Sequence, residues 1–538
     1  MIKKLLTGKV NSITAAALMV ALSSLTSRFL GIFRDRILAG QFGAGDTLDI
    51  YYAAFRIPDL IFNLLILGAL SAGFIPIFTS LFKNEDDGNE EAWTLSNNAL
   101  NILGLSLIAV SLVGIALAHP IMRLITPGFS EEKMRMTASM TRIMFLSPFF
   151  LGISGVLGGI LQSTKRFFVY SLAPIFYNVG IILGALYFVP VWGIHGLAWG
   201  VVFGAVMHMS VQLPAVFNLG FRYRPIFDLK NKAFRRVARM MVPRTMSLAI
   251  AQINLTVETI VASTLASGSL AIYNFANNLQ VFPVGIFGIS FAVAAFPTIS
   301  AVAFDQQKLV KNFSSTLRQI LFFIVPSMVM LLVLRAQIIR VVLGTGRFNW
   351  DDTVLTIHTL GFFSISLFAQ ALVPLLVRVF YARHDSRTPF FIGLGTAAIN
   401  VFLAFFLSKR MGVSGLALAF STANIANFIV LWLVLRFELG SLDELKILQS
   451  VLKFSAAAVL AGLAAQLTKG LVWPFIDMTK TLGVFIQGAA AGLAGLGVYL
   501  LICALLRSEE LSYFWGGFKR RLSWKKLETG DQGEVRGI

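Results

Sequence analysis

The chain has 538 residues, of which 57% are hydrophobic and only 13% charged, and its mean hydropathy is +0.77. A soluble multidomain protein, with about 25% charged residues, is excluded; the composition is that of a polytopic membrane protein. The net charge of +19 does not point to nucleic acid, because most lysines and arginines sit in short loops between apolar runs, where topology and anionic lipid account for them.

Runs of about 20 mostly apolar residues predict some fourteen membrane helices in an all-α fold. The first, near 11–38, follows MIKKLLTGKV, which reads as the start of a helix rather than a signal peptide, since no polar mature protein follows. With the second, near 48–82, it carries Arg28, Arg34, Asp35, Arg36, Asp49, Arg56 and Asp59. Each charge at bilayer depth costs about 2.5–3.5 kcal/mol, so such residues face a cavity or a partner. On a helix, Asp49, Tyr52, Arg56, Asp59 and Asn63 fall within an arc of about 80°, and Arg28 shares a face with Asp35. Two polar stripes on consecutive membrane helices predict the wall of a water-filled cavity.

Spans near 93–118, 136–162, 168–190 and 196–218 complete a first group of six. The basic segment GFRYRPIFDLKNKAFRRVARM (220–240) reads as an interfacial amphipathic linker. A second group lies near 238–265, 270–301, 313–334, 353–381, 388–408 and 413–436, followed by spans near 449–471 and 482–506. The basic tail, with FKRRLSWKKL at 518–527, reads as a membrane-surface anchor. Prolines 148, 174, 243, 283, 326 and 374 lie inside spans, where ordinary membrane-helix tolerance and close packing account for them, with hinges for alternating access as the alternative.

The two groups repeat each other at a period near 220. GFIPIFTS (73–80) is echoed by AAFPTISA (294–301), KRFF (165–168) by SRTP (386–389), and GIHGLAWG (193–200) by GVSGLALA (412–419). Six spans per repeat give both the same orientation, as in parallel-repeat transporters whose substrate site lies between the halves. The expected organisation is a six-helix lobe (1–219), a basic cytoplasmic linker (220–240), a second six-helix lobe (241–437), two extra helices (438–506) and a basic cytoplasmic tail (507–538). With an even number of spans, 26 lysines and arginines fall on the side of the termini and ten on the other, which places both termini in the cytoplasm.

Arg28, Arg34 and Arg56 offer guanidinium groups suited to a phosphate or diphosphate. The alternative is neutralisation by a neighbour, Asp35 for Arg34 or Asp49 for Arg56, or snorkelling of Arg34. Glu258, within INLTVETIVAS, is either a hydrogen-bonded structural carboxylic acid or a cation or proton site completed by Asn400. Ala404, one turn beyond Asn400, supplies no second carboxylate. No enzyme signature occurs: the five histidines lack metal-ligand spacing, and CxxC, HExxH, GxSxG and P-loop motifs are absent from the sequence. An intramembrane transferase using Asp35, Asp49 and Asp59 is a remote alternative. The single cysteine, Cys503, permits no disulfide within the chain.

SRFLGIFRD (27–35), FGAG (42–45), AAFRIPDL (53–60) and GALSAGFIPIF (68–78), in this order and spacing, resemble the opening of the MurJ/MviN family of lipid II flippases. TPGFS (126–130), GGILQSTKRF (158–167), GRFNWDD (346–352) and FYARHDSRTP (380–389) extend the resemblance over the first twelve spans. The resemblance implies the fold of the multidrug/oligosaccharidyl-lipid/polysaccharide exporter superfamily. It implies no catalysis, a place in the bacterial cytoplasmic membrane, and alternating access that moves an undecaprenyl-diphosphate-linked precursor. It also implies that Arg28, Arg34 and Asp49 line the cavity for the lipid diphosphate. Phe62 and Asn278 stand where the family often has arginines, and Leu67 where it often has an acidic residue. Asn274, Asn277 and Asn278 share a face that stays polar without charge. The expected substrate site is therefore Arg28, Arg34, Asp49, Arg56, Asn277 and Asn278. No cofactor is expected, with sodium, a proton or the membrane potential as the driving force. Expected partners are the lipid-linked diphosphate, membrane lipids including anionic ones, and cell-wall synthesis proteins. The alternatives are export of another lipid-linked oligosaccharide, such as an O-antigen or capsule unit, and a cation-coupled drug exporter.

Overall fold

The structure is a computed structural model that describes residues 13–67, 73–83 and 89–514. The expected surface anchor at 518–527 lies outside the described residues. Those residues form helices joined by short turns, with no strand among them. The chain opens with α1 (Ile13–Phe42), α2 (Asp46–Phe62), α3 (Ile75–Leu81), α4 (Glu90–Ala116) and α5 (Ala118–Ile125). Next come α6 (Glu131–Met144), α7 (Ser147–Ser163), α8 (Phe167–Leu183), α9 (Val189–Trp192), α10 (His195–Ser210) and α11 (Leu213–Phe217). The middle contains α12 (Lys232–Ser263), α13 (Ser269–Pro283), α14 (Ser290–Ala301) and α15 (Gln306–Val342). Then follow α16 (Trp350–Ile365), α17 (Leu367–Ala382), α18 (Arg387–Met411), α19 (Val413–Leu439), α20 (Glu444–Val472) and α21 (Thr481–Leu505).

Among the described residues ten helices are long and apolar enough to cross a membrane, or up to eleven when α16 and α17, broken at Ser366, count as one. Fourteen were expected along the whole chain, whereas this count covers the described residues alone and leaves out α1, α2 and α12. α1 and α2 carry the charged stripes, and α12 begins with a basic stretch and continues into the apolar Leu248–Ser263. These three charged helices are the ones that hold most of the candidate site.

The internal repeat is visible in local conformation. Gly193 and Gly412 both have positive φ, +57° and +59°, with open space where a Cβ would stand, and both precede a new helix. Lys165, which opens KRFF, and His384, two residues before SRTP, both have positive φ, +60° and +64°. A π-helical turn follows α2 at Asn63–Leu67, and another follows α13 at Val284–Ile289. Such turns re-aim a helix and recur at functional segments.

By packing, the chain forms two compact units: Met1–Phe282 with Arg335–Ser366 and Ser386–Val430, and Pro283–Leu334 with Leu367–Asp385 and Leu431–Ile538. In the first, α8 and α10 meet along glycines. A Cβ on Gly180 would lie 2.2 Å from Gly204 Cα, and one on Gly184 2.3 Å from Gly200 Cα. In lipid no hydrophobic drive favours helix association, so close backbone approach through small residues holds such pairs. α4 holds the segment before α12. Asn97 donates to Arg222 O (3.0 Å) and accepts from Arg224 N (2.8 Å), and Asn98 donates to Asp228 O (2.8 Å) and accepts from Asp228 N (2.7 Å). The first half of the linker is thus an extended strip satisfied by asparagine amides, and helix begins only at Lys232, capped by Asn231.

In the second unit, Tyr499 of α21 donates to Phe322 O at 2.6 Å beneath the Phe322–Phe454 ring pair. After α21 the chain turns back, and buried Arg318 of α15 binds Glu510 and Glu509. The hydrogen bond from Arg318 holds the exposed Glu509 carboxyl below the usual carboxylate range.

Candidate functional site

The expected site residues all lie in the first unit, and the structure divides them into three groups. The first is centred on Asp35, which is buried on α1. Arg34 donates to Asp35 Oδ1 from Nε (3.0 Å) and Nη2 (2.8 Å), and to Asn178 Oδ1 of α8 from Nη1 (3.2 Å). Asp35 Oδ2 accepts from Asn278 Nδ2 of α13 at 2.8 Å. Neighbouring helix residues do not face each other, so the long Arg34 side chain curls back over its own helix to reach Asp35. Both carboxylate oxygens are satisfied, and the network ties α1 to α8 and α13. Arg34 therefore has a protein counter-charge, and Asn278 binds a carboxylate in this arrangement. Asn277 Oδ1 accepts from Gln280, and Asn274 donates to Leu270 O on its own helix. Arg36 binds the carbonyls of Val341 and Val342 at the end of α15, where a cation also meets the negative end of the helix dipole.

The second group closes one end of this unit. Asp49 is buried, pairs with Lys133 of α6 at 2.9 Å, and accepts from Gly268 N (2.8 Å) and Ala271 N (3.0 Å) at the start of α13. It therefore caps a helix N-terminus, where orphan amides and the dipole favour an anion. Lys133 also binds Asp46 at 2.6 Å and stands 4.0 Å from the Phe129 ring centroid. The FGAG motif acquires a reason here. Gly43 has φ +67°, and a Cβ would lie 2.9 Å from Arg347 O; Gly268, with φ +86°, would place one 2.0 Å from Ala44 O. Asp352, in the Asn349 capping box, accepts from Ala44 N at 3.1 Å, and Arg347 N donates to Gly40 O at 2.9 Å. Turns preceding α2, α13 and α16 are thereby knitted together, and Gly128, in the turn before α6, would place a Cβ 2.3 Å from Ser263 O.

The third group lies between α2, α12 and α18. Arg56 donates from Nε to Thr259 Oγ1 at 2.8 Å, one residue from Glu258, so its partner is a hydroxyl on α12. Glu258 is buried, with Tyr273 alongside, and its Oε1 accepts from Asn400 Nδ2 at 3.3 Å. The same Nδ2 lies 3.0 Å from Asn254 Oδ1. Glu258 Oε2 and Asn400 Oδ1 are buried with no hydrogen-bond partner among the described residues. Buried orphan acceptors suit a proton on the carboxyl or a small cation. No group of three or more His, Cys, Asp or Glu side chains that could hold a metal ion occurs among the described residues.

Arg28 stands apart. It is half-buried on α1 and forms no ion pair or hydrogen bond with any described residue. Sequence reasoning passed over Asn178, Lys133 and Asn254 as site residues. A lone asparagine inside an apolar run, as in FYNVG, was the available signal for Asn178. Lys133 read as one more loop charge, because the fold alone brings it to Asp49.

A family model described as lipid II flippase MurJ matches residues 38–487. The chain belongs to that family. A probable lipid II flippase MurJ of Thermotoga maritima is 31% identical over 494 residues, covering 91% of this chain and 96% of the relative. The lipid II flippase MurJ of Burkholderia cenocepacia is 29% identical over 431 residues, covering 78% of this chain and 83% of the relative. Among solved structures, a lipid II flippase MurJ in an inward closed conformation aligns with a TM-score of 0.75 at 23% identity, over 94% of this chain and all of that one. An inward-facing multidrug transporter of the MATE family gives 0.66 at 16% identity, over 78% of this chain and 96% of that one. Both share the fold. With its apolar helices, the family identifies a multi-pass membrane protein.

Lys133→Met removes the counter-charge of a buried carboxylate, and stability should fall by about 3–5 kcal/mol. Adding Asn at position 49 in the same chain should recover part of that loss. Thermal melting of the purified variants measures both, and unchanged melting of Lys133→Met would mean that the amides of Gly268 and Ala271 suffice for Asp49.

Proposed function

We infer that this protein is a lipid II flippase of the bacterial cytoplasmic membrane, moving the undecaprenyl-diphosphate-linked precursor from the inner to the outer leaflet by alternating access. The observation that carries this reading beyond family membership is Arg28, a guanidinium on a membrane helix with no protein counter-charge among the described residues. A diphosphate supplies that counter-charge and fits the planar fork. Arg34, Arg56, Asn277 and Asn278 are proposed to contribute to the same substrate cavity. Asp49 holds the closed end of the first unit, and the repeats 1–219 and 241–437 are the moving parts. A second reading, export of another lipid-linked oligosaccharide, draws on Asn278, which puts an amide where the family resemblance leads one to expect an arginine.

Arg28→Ala should lower lipid II affinity by roughly 10- to 100-fold, the equivalent of one charge-assisted hydrogen bond, with normal abundance in the membrane, and Arg28→Lys should restore little of it. Binding of purified protein to lipid II decides this. Wild-type affinity in the alanine variant would remove Arg28 from the site, and binding of a different lipid-linked glycan in place of lipid II would favour the second reading.

The energy source is proposed at Glu258 and Asn400, whose orphan oxygens suit a sodium ion or a proton. Glu258→Gln should alter the dependence of transport on sodium or on membrane potential. A variant that loses only thermal stability would make Glu258 structural.

Both termini are proposed to be cytoplasmic, on the strength of the lysine and arginine bias. Cysteines introduced at exposed positions of 222–239 should react with impermeant reagents only from the cytoplasmic side; labelling from outside would reverse the orientation.

A further inference from the structure

A lateral cleft of about 780 Å³ runs between α12 and α18. Along α18 its wall is Leu394, Ala398, Phe402, Phe405 and Lys409, which recur every three or four residues and so form one helix face. Ala397 and Ala398 make it deep, and Phe402 and Phe405, 70% and 45% exposed, stand along its side. Leu394 to Lys409 is about 22 Å of helix, longer than the roughly 15 Å of hydrocarbon in one leaflet. The groove is thus long enough for one acyl chain with its headgroup at the Lys409 end.

Charge decides what kind of lipid fits. Lys409 and Arg410 end the helix together, but they differ in their surroundings. The Arg410 guanidinium lies 4.8 Å from the Phe406 ring centroid, whereas Lys409 lines the groove and forms no ion pair among the described residues. The groove's lining contains no carboxylate; Asn254 is its one other polar residue. A cation that merely snorkels needs no groove beneath it. Here the ammonium stands at the mouth of an apolar channel, the complement of a lipid phosphate above an acyl chain.

We propose that this groove is a binding site for an anionic phospholipid, its acyl chain along α18 between Ala398 and Phe405 and its phosphate on Lys409. Asn254 forms the inner wall and accepts the amide of Asn400 that also reaches Glu258, so the site backs directly onto that cluster. With the proposed orientation, Lys409 lies at the outer leaflet, on the face where basic residues are scarce.

Native mass spectrometry of the intact protein, titrated with phosphatidylglycerol or phosphatidylcholine of matched chains, tests the assignment. Wild type should retain its first phosphatidylglycerol about tenfold more tightly than phosphatidylcholine. Lys409→Gln should abolish that preference and Lys409→Arg should keep it. Ala398→Trp should fill the groove and weaken both lipids. Lys409 is exposed at a helix end, so its variants should fold even if Ala398→Trp does not. Equal retention of the two lipids by wild type, or an undiminished preference in Lys409→Gln, would overturn the proposal. So would a co-purifying polyprenyl diphosphate lipid that Ala398→Trp displaces from the same groove.

Discussion

A carboxylate taken into a membrane protein has to be met by charge or by several hydrogen bonds, and that requirement organises the first unit. Asp35 is met by Arg34 and Asn278, and Asp49 by Lys133 and two amides of α13. Neither set of partners comes from the carboxylate's own helix alone. An acidic residue that an isolated helix could not keep in lipid thus becomes a tether among α1, α2, α6, α8 and α13. Such tethers are directional and can be exchanged, unlike apolar contact. A membrane helix bundle held only by side-chain packing would have no comparable way to favour one arrangement.

Close backbone approach does the complementary work. Around Gly43 and Gly268 the turns come so near that a methyl group would meet a carbonyl oxygen, and between α8 and α10 the helix axes approach through Gly180, Gly184, Gly200 and Gly204. These contacts fix distance, and the carboxylates fix register. The repeat reuses the same local devices, with positive-φ glycines at Gly193 and Gly412 and π turns after α2 and α13.

Much of this was legible in the sequence because it depends on local pattern. Apolar runs gave the helical fold, and charges in α1 and α2 marked the unusual helices. FGAG was recognisable as a motif, although its reason, the approach of Arg347 and Gly268, lies more than 200 residues away in the chain. What was not legible is partnership. Arg56 reads as a partner for Asp49, a turn or two away on the same stripe, yet it binds Thr259 while Asp49 turns to Lys133. The linker at 220–240 reads as an amphipathic segment, yet its first half is held extended because SNNALN on α4 presents three asparagines to its backbone. Side chains that bond across helices leave only a residue type in the sequence, without an address.

The four arginines of α1 and α2 show how the same residue type is divided among tasks. Arg34 is held by Asp35 and Asn178, Arg36 by the carbonyls ending α15, and Arg56 by Thr259. Each has an acceptor within the protein that fixes its side chain. Arg28 lies seven residues before Asp35, about 10 Å along the helix, and Asp35 is already occupied by two other donors. A guanidinium cannot become neutral by releasing its proton, and among the described residues Arg28 has no acceptor to meet it. The three anchored arginines tie α1 and α2 to α8, α15 and α12, and Arg28 is the one of the four without an acceptor among the described residues.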